Sequence, residues 1–297
     1  MSLTSPNWFN EKFKDKITID LQAFGGLLDG TMMEGDVQAG TVKFPVVGGT
    51  SSVYKLTGAI EPVPVNDVGL STVTLTFEDF EASEWWRTQD AYKAGAREQD
   101  ALKALITMAI RRKRDGIKFD AVKAYYDANT GSIATFGTDA TVPDPYLFET
   151  ARAALNIYGD ANIDDEVFCP VPTMVMSQLD VHELYGKTEW GAGVSEVFNK
   201  TQRHQMRKVR GINFIVCPDN YFREPGTSGW ETFMWRKSAM GAETPFNNES
   251  PAVFPQPQMQ GTPWLAKAGI SGAAVGILTK GVKRILLDKI TAVTKPS

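Results

Sequence analysis

Groups able to do covalent, metal or acid–base chemistry are sparse in this chain of 297 residues, and none is spaced for it. There are two histidines, His182 in "MSQLDVHELY" and His204 in "RHQMRKVR". Neither belongs to a metal-ligand pair at helical spacing, and no HExxH, CxxC or P-loop pattern occurs. Both read as surface or interface residues. Cys169 in "VFCPVP" and Cys217 in "FIVCPDN" each precede a proline in an apolar run, as small core residues at strand ends do. Two cysteines are too few for a disulfide framework, although a single bridge between them stays open. The run Asp164-Asp165-Glu166 lacks the ligand alternation of a calcium loop and reads as a solvated turn. "SGAAV" is no GxSxG elbow and "GISGAAVG" no GxGxxG loop; those glycines read as permitting close strand packing. The expectation is a protein that is not an enzyme, with no catalytic residue, no metal and no cofactor.

Charge offers one more chemistry. Arg111, Arg112, Lys113 and Arg114 form one basic run, and Arg203, Arg207, Lys208 and Arg210 a second. Either could contact phosphate. Four adjacent charges wrap around a helix, so two or three at most share a surface; solvated charge or salt bridges to neighbouring chains is the competing reading. The net charge of −4 disfavours a dedicated nucleic-acid binder. The longest apolar tail segment, "AGISGAAVGIL", is far short of the roughly 20 residues of a membrane span, so no membrane partner is expected.

The elements that carry these groups are legible. Residues 1–40 hold scattered apolar residues and five glycines from Gly25 to Gly40, which reads as an extended arm. Val42, Phe44 and Val46 then alternate with polar neighbours in one strand, and Val73, Leu75 and Phe77 in its returning partner. Pro62 and Pro64 roughen the tip between them. A lone hairpin is marginal in water, so its apolar side must rest on something, and the adjoining sequence offers little spare core. Trp85 and Trp86 follow at a joint, and a helix opens over residues 90–99 and runs to Asp127. Leu102, Leu105, Ile106, Ala109, Ile110, Ile117, Ala121, Val122 and Tyr125 form its stripe, and Gly116 makes it either one helix with a soft point or two in series. "PDPYLFETARAALNIYGD" is a second helix, with Asp144 as N-cap, Pro145 in the first turn and Gly159 at the C-cap. "EVFCPV" and "GINFIVCP" read as strands, "TMVMSQLDVHELY" as a helix and "WETFMWRKSAMGAE" as a strand turning helical. After a Pro-rich link, "ESPAVFPQPQMQGTP", the tail supplies final strands. The class is α+β.

In that order, "FEDFEASEWWRTQDAYKAGAREQDALKALITMAIRRKRDGI", "DPYLFETARAAL", "GINFIVCPDN", "FMWRKSAMGAE" and "ISGAAVGILTKGVKRI" resemble the tailed-bacteriophage major capsid proteins of the Hong Kong 97-type fold. The resemblance covers roughly residues 41–288 and implies an N-terminal arm (1–40) and an extended β-hairpin loop (41–80). It further implies a peripheral domain with a long spine helix (81–143 and 263–297) and an axial domain (144–262). It implies a ribbon that leaves its own subunit and lies on a neighbour, making Val42, Phe44, Tyr54, Lys55, Val73, Leu75 and Phe77 candidates for the subunit interface. Trp85 and Trp86 would brace the joint, each burying apolar area. Arg111, Arg112, Lys113 and Arg114 become candidates for the face turned to DNA. The implied function is self-assembly through hexamers and pentamers into an icosahedral shell enclosing double-stranded DNA, held weakly and without sequence preference. Further implied partners are a portal and decoration or separate scaffolding proteins, in a virion assembled in the host cytoplasm. Some relatives cross-link through a loop lysine; Lys55 has no acid partner by spacing, so none is expected here. An encapsulin-like compartment and, less favoured, a soluble α+β nucleic-acid binder are the alternatives.

Overall fold

The computed structural model describes residues 25–38, 40–48, 55, 69–86, 97–155, 165–182, 206–224, 229–260 and 263–293. In chain order these residues form β1 (Val37–Gln38), β2 (Thr41–Val47), β3 (Leu70–Thr76), β4 (Glu78–Trp86), α1 (Arg97–Ala128), β5 (Thr135–Phe136) and α2 (Pro145–Ala154). There follow β6 (Val167–Pro172), α3 (Thr173–Val181), β7 (Met206–Val209), β8 (Ile212–Cys217), β9 (Gly229–Arg236), β10 (Met240–Pro255), β11 (Trp264–Gly276) and β12 (Val282–Asp288). The mixture is α+β, as expected. The chain divides into two units, residues 1–25, 79–113 and 246–270 in the smaller and 26–78, 114–245 and 271–297 in the larger. These divisions fall at different places from the 41–80, 81–143 and 144–262 boundaries read from the sequence.

The larger unit is built on a six-stranded sheet ordered β5-β12-β9-β6-β8-β7. β6 and β9 are buried along their whole length, which is why "VFCPVP" shows no alternation. β6 and β8 are parallel, with α3 in the connection between them. α2 starts as its sequence dictates: the Asp144 carboxylate accepts the Tyr146 N–H, with Pro145 behind it. Its C-cap is Leu155, and Gly159 lies outside the described residues. Phe148 meets Phe214 edge-on at 5.3 Å, and Phe119 of α1 meets Phe222 at 5.4 Å. Glu231 is buried in this core, which is tolerable because Arg223 and Arg284 both pair with it. Arg223 also grips Asp127 with two bonds of 2.8 and 2.9 Å, and this holds the Asp127 carboxyl below the usual carboxylate range.

In the smaller unit, residues 79–86, 246–255 and 264–270 of β4, β10 and β11 form a sheet with β11 in the middle. Ile106 and Ile110 of α1 pack on Ala266, Ala268 and Ile270, with Phe80, Ala82 and Val253 at the margin. The small side chains of β11 let the helix approach closely. Arg111 Nε reaches Glu249 Oε2 at 2.6 Å on the same side.

Several expectations are corrected. Residues 27–33 are not an extended arm, since Leu28 and Met32 are buried in the core. Of the two readings of the long helix, two helices in series is the one set aside: α1 continues through Gly116 as a single helix. Within the Pro-rich link, residues 250–255 lie in β10; the strand is at a sheet edge, where a missing N–H costs no ladder bond. The second basic run does not merely precede a strand. Residues 206–209 form β7, and Arg210 (φ 49°) with Gly211 (φ 83°) makes the two-residue turn into β8. Asp165 is not solvated either: Arg236 Nε donates to it at 3.1 Å and Ser238 binds it through backbone and hydroxyl.

Candidate assembly surfaces

The ribbon is an antiparallel pair, in register from Thr41↔Thr76 to Val47↔Leu70. Its base is covered by its own chain. Val42, Phe44 and Leu75 are buried, and Val73 and Phe77 are partly buried in the same cluster beside Met33, Ala273, Val275 and Ile277. The Phe44 ring fits because Gly241 carries no side chain: a Cβ there would lie 2.6 Å from two ring atoms. The sequence reading of little spare core is therefore corrected at this end, and Val42, Phe44 and Leu75 are not free surface in the subunit. The distal end differs. Val47 is 68% and Leu70 80% exposed, although they face each other across the strands. Gly48 still donates to the Gly69 carbonyl at 2.8 Å, so pairing persists beyond that point. Lys55 is exposed, and Tyr54 lies outside the described residues.

Trp85 and Trp86 close β4. Trp85 is 52% exposed, so the expected burial of this residue is not supplied by the described residues. Residues 87–96, between β4 and α1, lie outside the described residues. Alternation places Trp85 on the sheet face turned away from α1, opposite Phe80 and Ala82. The ion pair Lys267–Glu81 shares that outer face. So do Phe246 (54% exposed) and Phe254 (47%), because Glu249 and Val253, odd-numbered on the same strand, face the helix. Three aromatic rings thus stand exposed on one face. Sequence reasoning missed the two phenylalanines by treating part of their strand as a link; their even spacing was the available signal.

The basic run of α1 is largely engaged. In the smaller unit, Arg111 pairs with Glu249, and Lys113 lies with Nζ 4.1 Å from the centre of the Phe80 ring. In the larger unit, Arg114 pairs with Asp29. Arg112 is half-buried. Of the four, Lys113 alone is exposed. The partners lie within the same chain, a possibility that neither reading of the run included.

The remaining candidates do not converge. His182 ends α3 with its ring edge-on to Tyr146, 6.1 Å between centres, and His204 lies outside the described residues. Cys169 and Cys217 are buried free thiols on adjacent strands, and burial pushes both well above the ordinary thiol range. Among the described residues no cluster of His, Cys, Asp or Glu could hold a metal ion, and no helix is long and apolar enough to cross a membrane.

Comparison with known proteins now gives these surfaces a context. The sequence profile of the phage capsid protein family matches residues 5–289. The chain belongs to that family. A structure from Mycobacterium phage Che8 superposes with a TM-score of 0.67 at 12% identity, covering 95% of this chain and 98% of that one. The capsid of an empty GTA particle gives 0.65 at 10% identity, covering 97% and 100%. The capsid of Ralstonia phage GP4 gives 0.63 at 9%, covering 97% and 99%. A search of curated proteins found no significant match. At such identities the structures speak to fold, and the fold agrees with the family. This is a phage capsid protein, a structural component of the virion. An encapsulin-like compartment is not favoured.

Proposed function

We propose that the shell is icosahedral, assembles in the host cytoplasm from hexamers and pentamers and encloses double-stranded DNA. Within it, the distal ribbon of one subunit docks on another. The observation that carries this reading is the exposed Val47–Leu70 pair at the end of a ribbon whose base is anchored by its own chain. A contact between unlike patches closes into rings, and it needs a second, different surface. The exposed face bearing Trp85, Phe246 and Phe254 is the candidate recipient. Residues 41–80 act as the extended loop, 81–143 with 263–297 as the peripheral domain, and 144–262 as the axial domain.

DNA is held weakly. With Arg111 and Arg114 paired inside the chain, Lys113 is the basic residue of α1 best placed to meet phosphate. A portal and decoration or scaffolding proteins complete the set of partners. Electron microscopy of the purified protein tests the reading: closed shells of uniform diameter are expected, and particles purified from infected cells should absorb as nucleoprotein. A monomer that stays monomeric under every assembly condition overturns it.

A further inference from the structure

In the larger unit, residues 27–30 make a turn against α1. The buried carboxylate of Asp115 accepts the N–H of Leu27 at 3.0 Å and of Leu28 at 3.1 Å, one on each oxygen. Nearly one helical turn further, Lys118 Nζ donates to the Leu28 carbonyl at 3.0 Å and to Asp29 at 2.7 Å, while Arg114 takes the other Asp29 oxygen. The Thr31 hydroxyl closes the turn on the Leu28 carbonyl at 2.8 Å, and the Trp235 indole N–H donates to the Thr31 carbonyl at 3.1 Å. Met33 then exchanges backbone bonds of 2.9 and 3.0 Å with Met240 and Ala242, and Gly35 N–H reaches Glu243 at 3.2 Å.

Packing alone does not call for these charges. Leu28 and Met32 already fill apolar sockets, and an apolar pair in place of Asp115 and Lys118 would cover them without desolvating ions. Burial pushes the Asp115 carboxyl up, against the pull of the Leu27 and Leu28 N–H groups and of Lys118. What the pair adds is recognition of main chain. One acceptor takes two successive N–H groups and one donor takes the carbonyl that follows, so a single register of backbone fits. A 250 Å³ cleft bordered by Gly30, Glu34, Lys118 and Glu243 runs beside the turn, giving water a route to the bonds.

We propose that residues 26–35 are a strap latched to α1 by Asp115 and Lys118, and that the latch is a two-state device. Closed, it holds residues 27 and 28 in one register on α1. Open, it frees residues 26–35 and uncovers the sockets of Leu28 and Met32 while the six-stranded sheet stays folded.

Hydrogen exchange on the unassembled full-length chain tests the device. Asp115→Asn keeps the shape but replaces one acceptor oxygen by a donor. It should speed exchange of the Leu27 and Leu28 amides at least tenfold, and so should Lys118→Met. The double variant should add little to the larger single effect, and the amides of β6 and β9 should stay protected. Unchanged exchange at Leu27 and Leu28, or an equal rise across β6 and β9, overturns the proposal. Should the variants fail to fold, the wild type decides. In low denaturant its strap amides should open with a weaker denaturant dependence than global unfolding, and equal dependence overturns the proposal. Because no shell is needed, a negative result leaves the capsid reading standing, and a failure to form shells leaves the latch standing.

Discussion

At the base of the ribbon the cross-strand pair Val42↔Leu75 is buried. Five residues along, an odd step that carries the pair to the opposite face of the ribbon, Val47↔Leu70 stands 68% and 80% exposed. The two pairs project from opposite faces of one ribbon, and the face bearing Val42 and Leu75 is the one with a surface to rest on. The base has Gly35 and Gly241 leaving room for Phe44 and Val42, and the side chains of Ala273, Val275 and Ile277 to lean on. For the tip, no covering surface is found among the described residues. The lesson is that period-two patterning announces the buried face, and that Val47 and Leu70 break the pattern as apolar residues on the outer one. The base belongs to the core of the subunit, and the tip is the part that the proposed docking would use.

Truncating the base is the strongest way to break that contrast. Phe44→Ala should cost the unassembled subunit about 3–5 kcal/mol, the usual range for a buried aromatic, read as a fall in the denaturant midpoint at constant slope. A loss below about 1 kcal/mol would mean the base is not subunit core at all. Gly241→Ala probes the same site from the other side. Its methyl would enter space held by the Phe44 ring, 2.6 Å from two of its atoms, and about 1–3 kcal/mol should be lost to overpacking. The ring must shift for the variant to fold, so the near-ultraviolet circular dichroism should change as well.

How far the sequence discloses this arrangement depends on the range of the interaction. Local signals read correctly: the Asp144 cap, the hairpin pairing of β2 with β3, the strand β6 and the long helix. Long-range pairings did not. Arg111 and Glu249 are 138 residues apart, Arg114 and Asp29 are 85 apart, and nothing in a basic run says that its counter-charges sit in the same chain. β10 was hidden in part by prolines that matter only if a strand is central, and being at an edge is a property of the sheet. The interface candidates Val42, Phe44 and Leu75 were misplaced for a related reason, since their covering partners lie about 200 residues further on.

Gly116 extends the contrast to α1. An added Cβ there meets nothing within 4 Å, unlike the crowded Gly241 position. Gly116→Ala should therefore stabilise the subunit by about 0.5–1 kcal/mol, through helix propensity and a less flexible unfolded chain. A rise of about 1–2 °C in the thermal midpoint is the expected reading. A fall would show that the helix needs a yielding point after all.

The tip gives the smallest effect on the subunit and the sharpest test of its role. Val47→Ser and Leu70→Ser remove apolar groups that are already largely in water, so each should change subunit stability by less than about 0.5 kcal/mol. If these residues bury themselves on another copy, the same substitutions lose that burial in every repeated contact of a shell. Particle yield, or the denaturant concentration at which shells dissociate, should then fall clearly while the monomer midpoint stays in place. The Trp85→Ser change on the outer sheet face should behave alike, with little effect on the subunit and a weaker shell. If shells of the tip variants match the wild type in yield and dissociation, the distal pair is ordinary exposed surface. The ribbon would then do its work at the base, as an element of its own subunit.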